Sequence, residues 1–272
     1  MCLIRRWLRA PISINGKLKK RRKGVPQGSP LSPLLSNIML HELDLEMTKQ
    51  GLRFIRYADD FSIYCKTKTE ARRINNKIIQ YLNQKLKLPI NIEKSGIRNP
   101  LKFTILGYTF VASYEKGAKG KFQLVVDKQR WKSFKEKLKE ATRKTAPMSF
   151  ELRIHKLKEI YRGWINHFQY ANIGSKLGEL DGWLRNRIRY CIWHDWKKPE
   201  RKRKNLIRLG VKSDLAYQWS RTRMGGWAVA QSPILGTTIT ISQLTKRGYE
   251  SMLSYYKKVN PSSHIPSLFP IA

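Results

Sequence analysis

The residues in this chain best suited to chemistry are two adjacent carboxylates, Asp59 and Asp60. They separate two short runs rich in aromatic and branched residues, 52–57 and 61–65, and this pattern predicts a β-hairpin with both acids at its tip. Carboxylates held at a rigid turn offer the hard oxygen ligands that Mg²⁺ prefers. The alternative interpretation is a solvated turn, in which the two side chains only hydrogen-bond to the nearby backbone.

The charge balance of the chain points to a polyanionic partner. Its 272 residues include 55 Lys and Arg against 19 Asp and Glu, which gives a formal net charge of +36. The hydrophobic fraction of 41% is ordinary for a globular protein, so the charge does not indicate disorder. Basic residues run along the whole chain and are not confined to one amphipathic segment, which favours nucleic acid over an anionic membrane as the partner.

The cysteines indicate a reducing compartment. Cys2, Cys65 and Cys191 lie far apart and form no C-x-x-C pair, so the sequence supports neither a disulfide framework nor a zinc finger. The chain has no uncharged apolar run long enough to cross a bilayer. We therefore expect a cytoplasmic protein without a membrane partner.

Apolar spacing divides the chain into a mixed part and a helical part. Residues 1–112 carry helix signals before and after the predicted hairpin, including a helix capped by Ser32 with a proline in its first turn. Further strands are expected near 90–98 and 103–111.

Helical spacing dominates residues 125–246. The apolar positions of its three clearest runs are Trp131, Phe134 and Leu138, then Leu157, Ile160, Trp164 and Phe168, then Leu177, Leu180, Leu184, Ile188 and Cys191. A linker is expected at 113–124, because two glycines lie within it. Residues 247–272, with three prolines, are expected to form a poorly ordered tail.

Four sequence stretches resemble motifs of reverse transcriptases, in the expected order. Tyr57-Ala58-Asp59-Asp60 with Phe61 is similar to their catalytic hairpin. The stretch GVPQGSPLSPLLSN at 24–37 resembles the loop and helix around the templating base and the incoming nucleotide, and 91–95 and 106–108 resemble two later palm motifs. Within reverse transcriptases, the chain most resembles those encoded by group II introns, also called maturases.

The helical part supports this narrower resemblance, because four stretches in it are similar to the maturase-specific thumb region. These stretches are 161–168, 183–190, 193–198 and 226–233. The resemblance implies an α+β fold: a partial polymerase palm at 1–112, made of an antiparallel sheet with packed helices, followed by an α-helical thumb or maturase domain at 125–246.

The resemblance also implies roles for individual residues. Asp59 would be a direct Mg²⁺ ligand in two-metal phosphoryl transfer, which joins a 3′-hydroxyl to a nucleotide α-phosphate, and Asp60 would support this metal site more weakly. Lys94 is a candidate proton donor to the pyrophosphate leaving group, with a solvated turn lysine as the alternative. The residues expected near template and nucleotide are Pro26, Gln27, Gly28 and Tyr57.

A basic face is expected on the helical part, since its cations have too few acids nearby to pair with. Such a face suits neutralisation of the phosphates of structured RNA, with a merely solvated charged face as the alternative. The residues are Arg185, Arg187, Arg189, Lys197, Lys198, Arg201, Lys202, Arg203 and Lys204.

One part of the expected metal site is missing from the sequence. A two-metal site needs a carboxylate from a second strand, whereas the acids before Asp59, which are Glu42, Asp44 and Glu46, fall on a predicted helix. We therefore expect an N-terminally truncated chain that is inactive as a polymerase alone, and a missing segment could be supplied in trans. The expected partners are intron RNA as template and splicing substrate, a DNA primer or target, and dNTPs. The alternative function is that of a non-catalytic RNA-binding maturase remnant that assists splicing.

Overall fold

The computed structural model describes residues 2–20, 28–112 and 122–260. The chain divides into two compact units, residues 1–98 and 99–272. In the described ranges, no helix is long and apolar enough to cross a membrane.

The first unit contains helices and two β-hairpins in its described residues. Its helices are α1 (Cys2–Arg9), α2 (Ser32–Lys49) and α3 (Lys68–Gln84), and its strands are β1 (Ile12–Ile14), β2 (Lys17–Lys19), β3 (Arg53–Tyr57) and β4 (Asp60–Tyr64). Both hairpins are antiparallel. The β1–β2 hairpin, which the spacing did not predict, turns at Asn15 and Gly16, whose φ angles of 51° and 76° suit a two-residue hairpin loop.

Helices α2 and α3 form the core of the first unit together with the β3–β4 hairpin. Apolar residues three or four positions apart place one face of each helix inside. The buried residues are Leu40, Leu43, Met47, Ile74, Ile78 and Leu82, with Phe54, Phe61 and Ile63 of the hairpin packed against them. The predicted helix start is confirmed to within one residue: Ser32 is the first helical residue, and the cap position belongs to Leu31.

Residues 90–98 do not form the predicted strand. The Asn91 side-chain oxygen accepts hydrogen bonds from the backbone N–H groups of Glu93 (3.1 Å) and Lys94 (3.2 Å). The Asn91 carbonyl accepts another from the N–H of Ser95 (2.9 Å). These local bonds hold the segment in a turn, because an asparagine can satisfy the backbone in place of a neighbouring strand.

The described residues of the second unit form a short 3₁₀ helix (Pro100–Lys102), an antiparallel sheet in the order β5-β6-β7, and a set of helices. The strands are β5 (Thr104–Ile105), β6 (Tyr108–Ala112) and β7 (Phe122–Val126). The longer helices are α4 (Lys128–Ala141), α5 (Phe150–His167) and α6 (Gly174–Asp195). They are followed by α7 (Pro199–Arg208), α8 (Ser213–Ser220), α9 (Gly226–Gln231), α10 (Pro233–Gly236), α11 (Ile241–Lys246) and α12 (Met252–Val259).

The predicted strand run at 103–111 is confirmed as β5 and β6. Residues 113–121 of the predicted linker lie outside the described residues, and its last residues, 122–124, belong to strand β7. The boundary between the two compact units falls earlier, after residue 98, because β5 and β6 pair with β7 in one sheet.

The core of the second unit draws buried residues from strand β7 and from helices α4 to α12, and the three helical runs predicted from the spacing are confirmed. Leu138, Leu157 and Leu184 are almost completely buried. The rings of Phe134 and Trp164 stack at a centroid distance of 4.2 Å with an interplanar angle of 8°. Aromatic pairs of this kind add to the hydrophobic stabilisation of the core.

The predicted tail from residue 247 is wrong over its first part, because helix α12 packs into the core. A buried carboxylate on α6, Asp181, holds the start of this helix, and it is only 2% exposed. It accepts hydrogen bonds from the Tyr249 hydroxyl (2.9 Å), the Ser251 hydroxyl (2.5 Å) and the backbone N–H groups of Met252 (2.9 Å) and Leu253 (3.0 Å). An acid at a helix N-terminus also interacts favourably with the helix dipole. Residues 261–272 lie outside the described residues.

Candidate functional site

Asp59 lies at the tip of a tight β-hairpin. Tyr57 pairs with Asp60 across β3 and β4, which leaves Ala58 and Asp59 as a two-residue turn. Ala58 has a φ of 55°, a conformation that residues with a Cβ seldom adopt. The hairpin prediction is thus confirmed, but Asp60 is the first residue of strand β4 and not part of the tip. Both carboxylates and the Tyr57 ring are exposed.

Arg56 anchors this turn to helix α2. Its guanidinium donates two hydrogen bonds to the Asp44 carboxylate, from Nε at 2.8 Å and from Nη2 at 2.5 Å. Its Nη1 donates to the Asn37 side-chain oxygen and to the Ala58 carbonyl, both at 2.8 Å. The hydrogen bonds that Arg56 donates to Asp44 raise the pKa of Arg56. The Arg56 guanidinium therefore holds the backbone of the turn at Ala58, the residue before Asp59.

The contact between Arg56 and Asp44 was not predicted from the sequence, although one signal for it exists. Side chains alternate between the two faces of a strand, so Arg56 lies on the same face of β3 as the partly buried Phe54. A charged residue on an inward face needs a partner of opposite charge. Asp44, which lies between the buried Leu43 and Met47 on α2, is that partner.

The turn fits Mg²⁺ in part. Asp59 offers exposed carboxylate oxygens, the ligand type that Mg²⁺ prefers, at a position held by Arg56. Within the described ranges, however, no three His, Cys, Asp or Glu side chains come together as a metal-binding group. The metal-binding roles of Asp59 and Asp60 stay predictions.

Of the other residues predicted to act near the nucleotide, the structure describes Gly28 and Lys94. Pro26 and Gln27 lie outside the described residues. Gly28 has a φ of 83°, and a Cβ added to it would meet no atom within 4 Å, so glycine is required here by backbone conformation and not by crowding. Lys94 is exposed in the turn closed by Asn91.

The 106–108 turn packs against helix α5. Gly107 has a φ of 85°, and a Cβ there would lie 3.0 Å from Arg130 Cγ and 3.1 Å from Phe168 Cζ. The Tyr108 hydroxyl donates to the His167 carbonyl, and His167 Nε2 lies 3.1 Å from the Leu106 carbonyl oxygen. This palm-like motif is therefore built into the second unit.

Arg187 does not belong to the predicted exposed basic face. Its guanidinium, half-buried on α6, donates to the Thr142 hydroxyl (3.1 Å) and to the carbonyls of Thr142 (2.7 Å) and Lys139 (3.2 Å). These carbonyls lie at the C-terminal end of α4, where helix carbonyls lack partners within the helix. Burial lowers the pKa of Arg187. This arginine caps a helix.

Arg189 has a similar structural role. Its guanidinium donates to the Ile239 carbonyl (3.0 Å) and to the Asn186 side chain (3.0 Å), and burial lowers its pKa as well. The prediction of an exposed face was wrong for both arginines, because backbone carbonyls, which a count of acids leaves out, supply their partners. Arg185, on the same helix, is half-buried.

The basic run on α7 divides between two faces of the helix. The Lys202 ammonium lies 4.3 Å from the Trp193 ring centroid, and burial lowers its pKa. The Arg203 guanidinium lies 5.6 Å from the Tyr217 ring centroid and hydrogen-bonds to Ser213 (3.1 Å). These two cations pack on their own unit, whereas Arg201, Lys204, Lys197 and Lys198 are exposed.

Arg201 and Lys204 line an open groove between the end of α6 and α7. Its volume is about 390 Å³. The lining residues are Asp195, Trp196, Arg201, Lys204, Asn205 and Arg208. The sequence analysis included two of these residues in its basic face and left out Trp196 and Arg208.

The part of the chain that carries the hairpin and the helical part each match the model of a known family. Residues 1–110 match the family described as reverse transcriptase (RNA-dependent DNA polymerase). Residues 131–210 match the group II intron, maturase-specific domain. The two matches together cover most of the chain. The chain belongs to the reverse transcriptases and maturases encoded by group II introns.

Two curated proteins are similar to this chain. The chain is 30% identical to the group II intron-encoded protein LtrA of Lactococcus lactis subsp. cremoris, over 43% of this chain and 22% of LtrA. It is also 30% identical to the protein YkfC of Escherichia coli (strain K12), over 30% of each chain. The matches thus span less than a third of the length of these relatives.

Proposed function

We propose that this chain acts with a group II intron, and that its first unit supports RNA-directed DNA synthesis while its second unit binds the intron RNA. The observation that carries the first part is the hairpin turn with Asp59 at its tip and Arg56 bonded to its backbone. The match to the maturase-specific domain and the net charge of +36 support the second part.

In the proposed reaction, a primer 3′-hydroxyl attacks the α-phosphate of a dNTP opposite an RNA template. Asp59 would hold Mg²⁺, which when bound stabilises charge on the attacking and leaving oxygens. Arg56 would keep the turn, and therefore the Asp59 carboxylate, in place. Tyr57 and Gly28 would lie near template and nucleotide, and Lys94 would give a proton to the pyrophosphate.

We further propose that this hairpin needs a carboxylate from outside it. Asp59 lies in the turn and Asp60 begins strand β4 of the same hairpin, so the pair supplies no carboxylate from another element. Both oxygens of the Asp44 carboxylate already accept hydrogen bonds from the Arg56 guanidinium. The isolated chain is therefore expected to show no Mg²⁺-dependent primer extension, and a segment carrying a strand-borne aspartate could restore it in trans.

The experiment measures RNA binding and primer extension on the same preparations. Wild type and Asp59→Ala are titrated against a group II intron transcript and tested for dNTP incorporation on a primed RNA template. We expect salt-sensitive RNA binding that Asp59→Ala leaves unchanged, and no incorporation by either protein. If the wild-type protein does not bind the transcript at physiological salt, the proposed RNA binding by the second unit is wrong.

A non-catalytic splicing factor is the second candidate function. It is favoured by the same observation that Asp44 is committed to an ion pair. The primer-extension assay separates the two, since incorporation by wild type that disappears in Asp59→Ala would establish a complete polymerase site. Activity restored by an added segment would favour a split polymerase over a splicing factor.

A further inference from the structure

The groove between α6 and α7 has the composition of a binding site. It concentrates three cations, one acid, one amide and one tryptophan around a volume of about 390 Å³. That volume lies near the lower end of the roughly 300–1,000 Å³ typical of small-ligand sites. Five of its six lining side chains are polar or charged, which favours an anionic ligand over an apolar one.

Helix geometry places the three cations in one row. Arg201, Lys204 and Arg208 are separated by three and four residues, so they lie along one face of α7 over about 10 Å. In the described part of the chain, none of the ion pairs includes these three residues. Their charges are available to phosphates.

Trp196 gives the groove an aromatic wall. Its ring lies 5.8 Å from that of Trp193, and it packs against the core of the second unit. A tryptophan fixed in this way beside a row of cations can stack a base, because every nucleic-acid base presents a flat face. Cations that bind phosphates next to an aromatic platform are typical of single-strand binding sites.

Asp195 favours a nucleotide over an anionic lipid as the ligand of this groove. Its side chain is 56% exposed and lies 3.8 Å from His194 Nδ1. A carboxylate repels every phosphate, but it can accept hydrogen bonds from the ribose 2′-hydroxyl or the base amino group of a nucleotide. The 2′-hydroxyl is the group by which proteins distinguish RNA from DNA.

We propose that this groove binds single-stranded RNA, with up to three consecutive phosphates along Arg201, Lys204 and Arg208 and one base on Trp196. Asp195 then gives the site its preference for RNA over DNA. This inference rests on the proposed RNA binding of the second unit and assigns it to a particular surface.

The first test compares two triple variants of the full chain by fluorescence anisotropy with a labelled 12-nucleotide oligo(U). The first variant, Arg201→Gln/Lys204→Gln/Arg208→Gln, removes the three positive charges that line the groove on α7. Lys132→Gln/Lys137→Gln/Lys156→Gln removes the same charge from exposed positions of α4 and α5. Because each phosphate contact contributes about 0.7 to the salt slope of single-strand binding, the first variant should lower that slope by about 2. We expect at least about tenfold weaker binding for it and less than about threefold for the control.

The second test probes the aromatic wall and the acid. Trp196→Leu should weaken binding about tenfold while Trp196→Phe stays within about threefold, because phenylalanine keeps a stacking surface. Asp195→Asn should reduce the ratio of affinities for oligo(U) and oligo(dU) without weakening RNA binding. Thermal melts of each variant establish that it is folded.

The outcomes separate this site from the function on which it rests. Equal losses of RNA affinity in both triple variants, or no loss in either, would show that the groove is not the RNA-binding site. The proposed RNA binding by the second unit would still stand. No RNA binding by wild type would overturn the proposed function. Binding of anionic phosphatidylglycerol vesicles that depends on the row, without RNA binding, would overturn the RNA assignment.

Discussion

Arg56 and Asp44 join the β3–β4 hairpin to helix α2 through two hydrogen bonds, 2.8 Å from Nε to Oδ1 and 2.5 Å from Nη2 to Oδ2. The two side chains are only 14% and 22% exposed. The third guanidinium nitrogen, Nη1, donates a hydrogen bond to the Ala58 carbonyl. A single guanidinium thus connects a residue on α2 to the residue that precedes Asp59.

Replacing Arg56 by methionine should destabilise the first unit by about 2–3 kcal/mol, because it leaves the Asp44 carboxylate partly buried without its charged partner. Arg56→Lys should recover only part of this loss, since an ammonium cannot form the two-pronged contact. The measurement is denaturant unfolding, combined with hydrogen exchange of the β3 and β4 amides.

The double variant Arg56→Met/Asp44→Leu serves as the control. It removes both charges, so it should be more stable than Arg56→Met alone. If the single and double variants unfold at the same denaturant concentration, the pair does not stabilise the hairpin.

Gly107→Ala should destabilise the second unit more than Gly210→Ala. Both glycines have positive φ angles, 85° and 92°, so each substitution costs about 1–2 kcal/mol in backbone strain. Only at Gly107 does the new Cβ also meet side chains, including the buried Phe168 at 3.1 Å, which adds about 1–3 kcal/mol. Thermal unfolding of both variants checks this, and equal losses would mean that the turn shifts to make room.

Arg187→Gln should reduce stability and leave little specific effect on RNA affinity. Its loss removes charge-assisted hydrogen bonds to the end of α4, worth about 1.5–3 kcal/mol in total. The matched control is Arg201→Gln, which removes the same charge from an exposed position and should leave stability unchanged. Unfolding curves and RNA titrations of both variants give the comparison. A stable Arg187→Gln protein with strongly reduced RNA affinity would restore this arginine to the RNA-binding surface.

Glu250 should stabilise the protein at neutral pH and not in acid. Burial raises the pKa of its carboxylate, but hydrogen bonds from Arg162 (2.7 Å) and Lys258 (3.0 Å) outweigh burial and leave the pKa below its ordinary value. A lowered pKa in the folded state contributes stability above the unfolded value of about 4.3, and this contribution is lost as pH falls through the folded value.

Glu250→Gln should therefore cost about 1 kcal/mol at pH 7 and much less at pH 3. The free energy of unfolding of wild type and variant at the two pH values measures this difference. Glu159→Gln is the control, because that carboxylate is exposed and, in the described residues, its ion pair is a 3.6 Å contact with the exposed His155. A pH-independent difference for Glu250→Gln would mean that its ion pairs do not contribute.

The elements that the sequence predicts well are those whose apolar residues repeat on one face. Helix α6 is recognisable because Leu177, Leu184 and Ile188 recur at helical spacing and are fully buried. The hairpin is recognisable from its aromatic and branched runs, and Asp59 could be placed at its tip from sequence. The boundary was off by one residue at Asp60, because strand pairing and not composition decides where a turn ends.

The sequence could not predict which cations face outward. Helical spacing gives the direction of Arg187 and Lys202 on their helices, but it does not show that a helix end or Trp193 lies opposite. The same limit explains the missed helix α12. Eight residues are too few for a clear period, and its start depends on Asp181, about 70 positions earlier in the chain.

The Asp181 contact also limits how this protein can be shortened. A fragment that stops at residue 246, where the clear helical pattern ends, would lack all four groups that donate to this carboxylate. A buried carboxylate that has lost its hydrogen-bond donors costs stability or draws water into the core. Fragments made to map intron contacts should therefore extend through Val259.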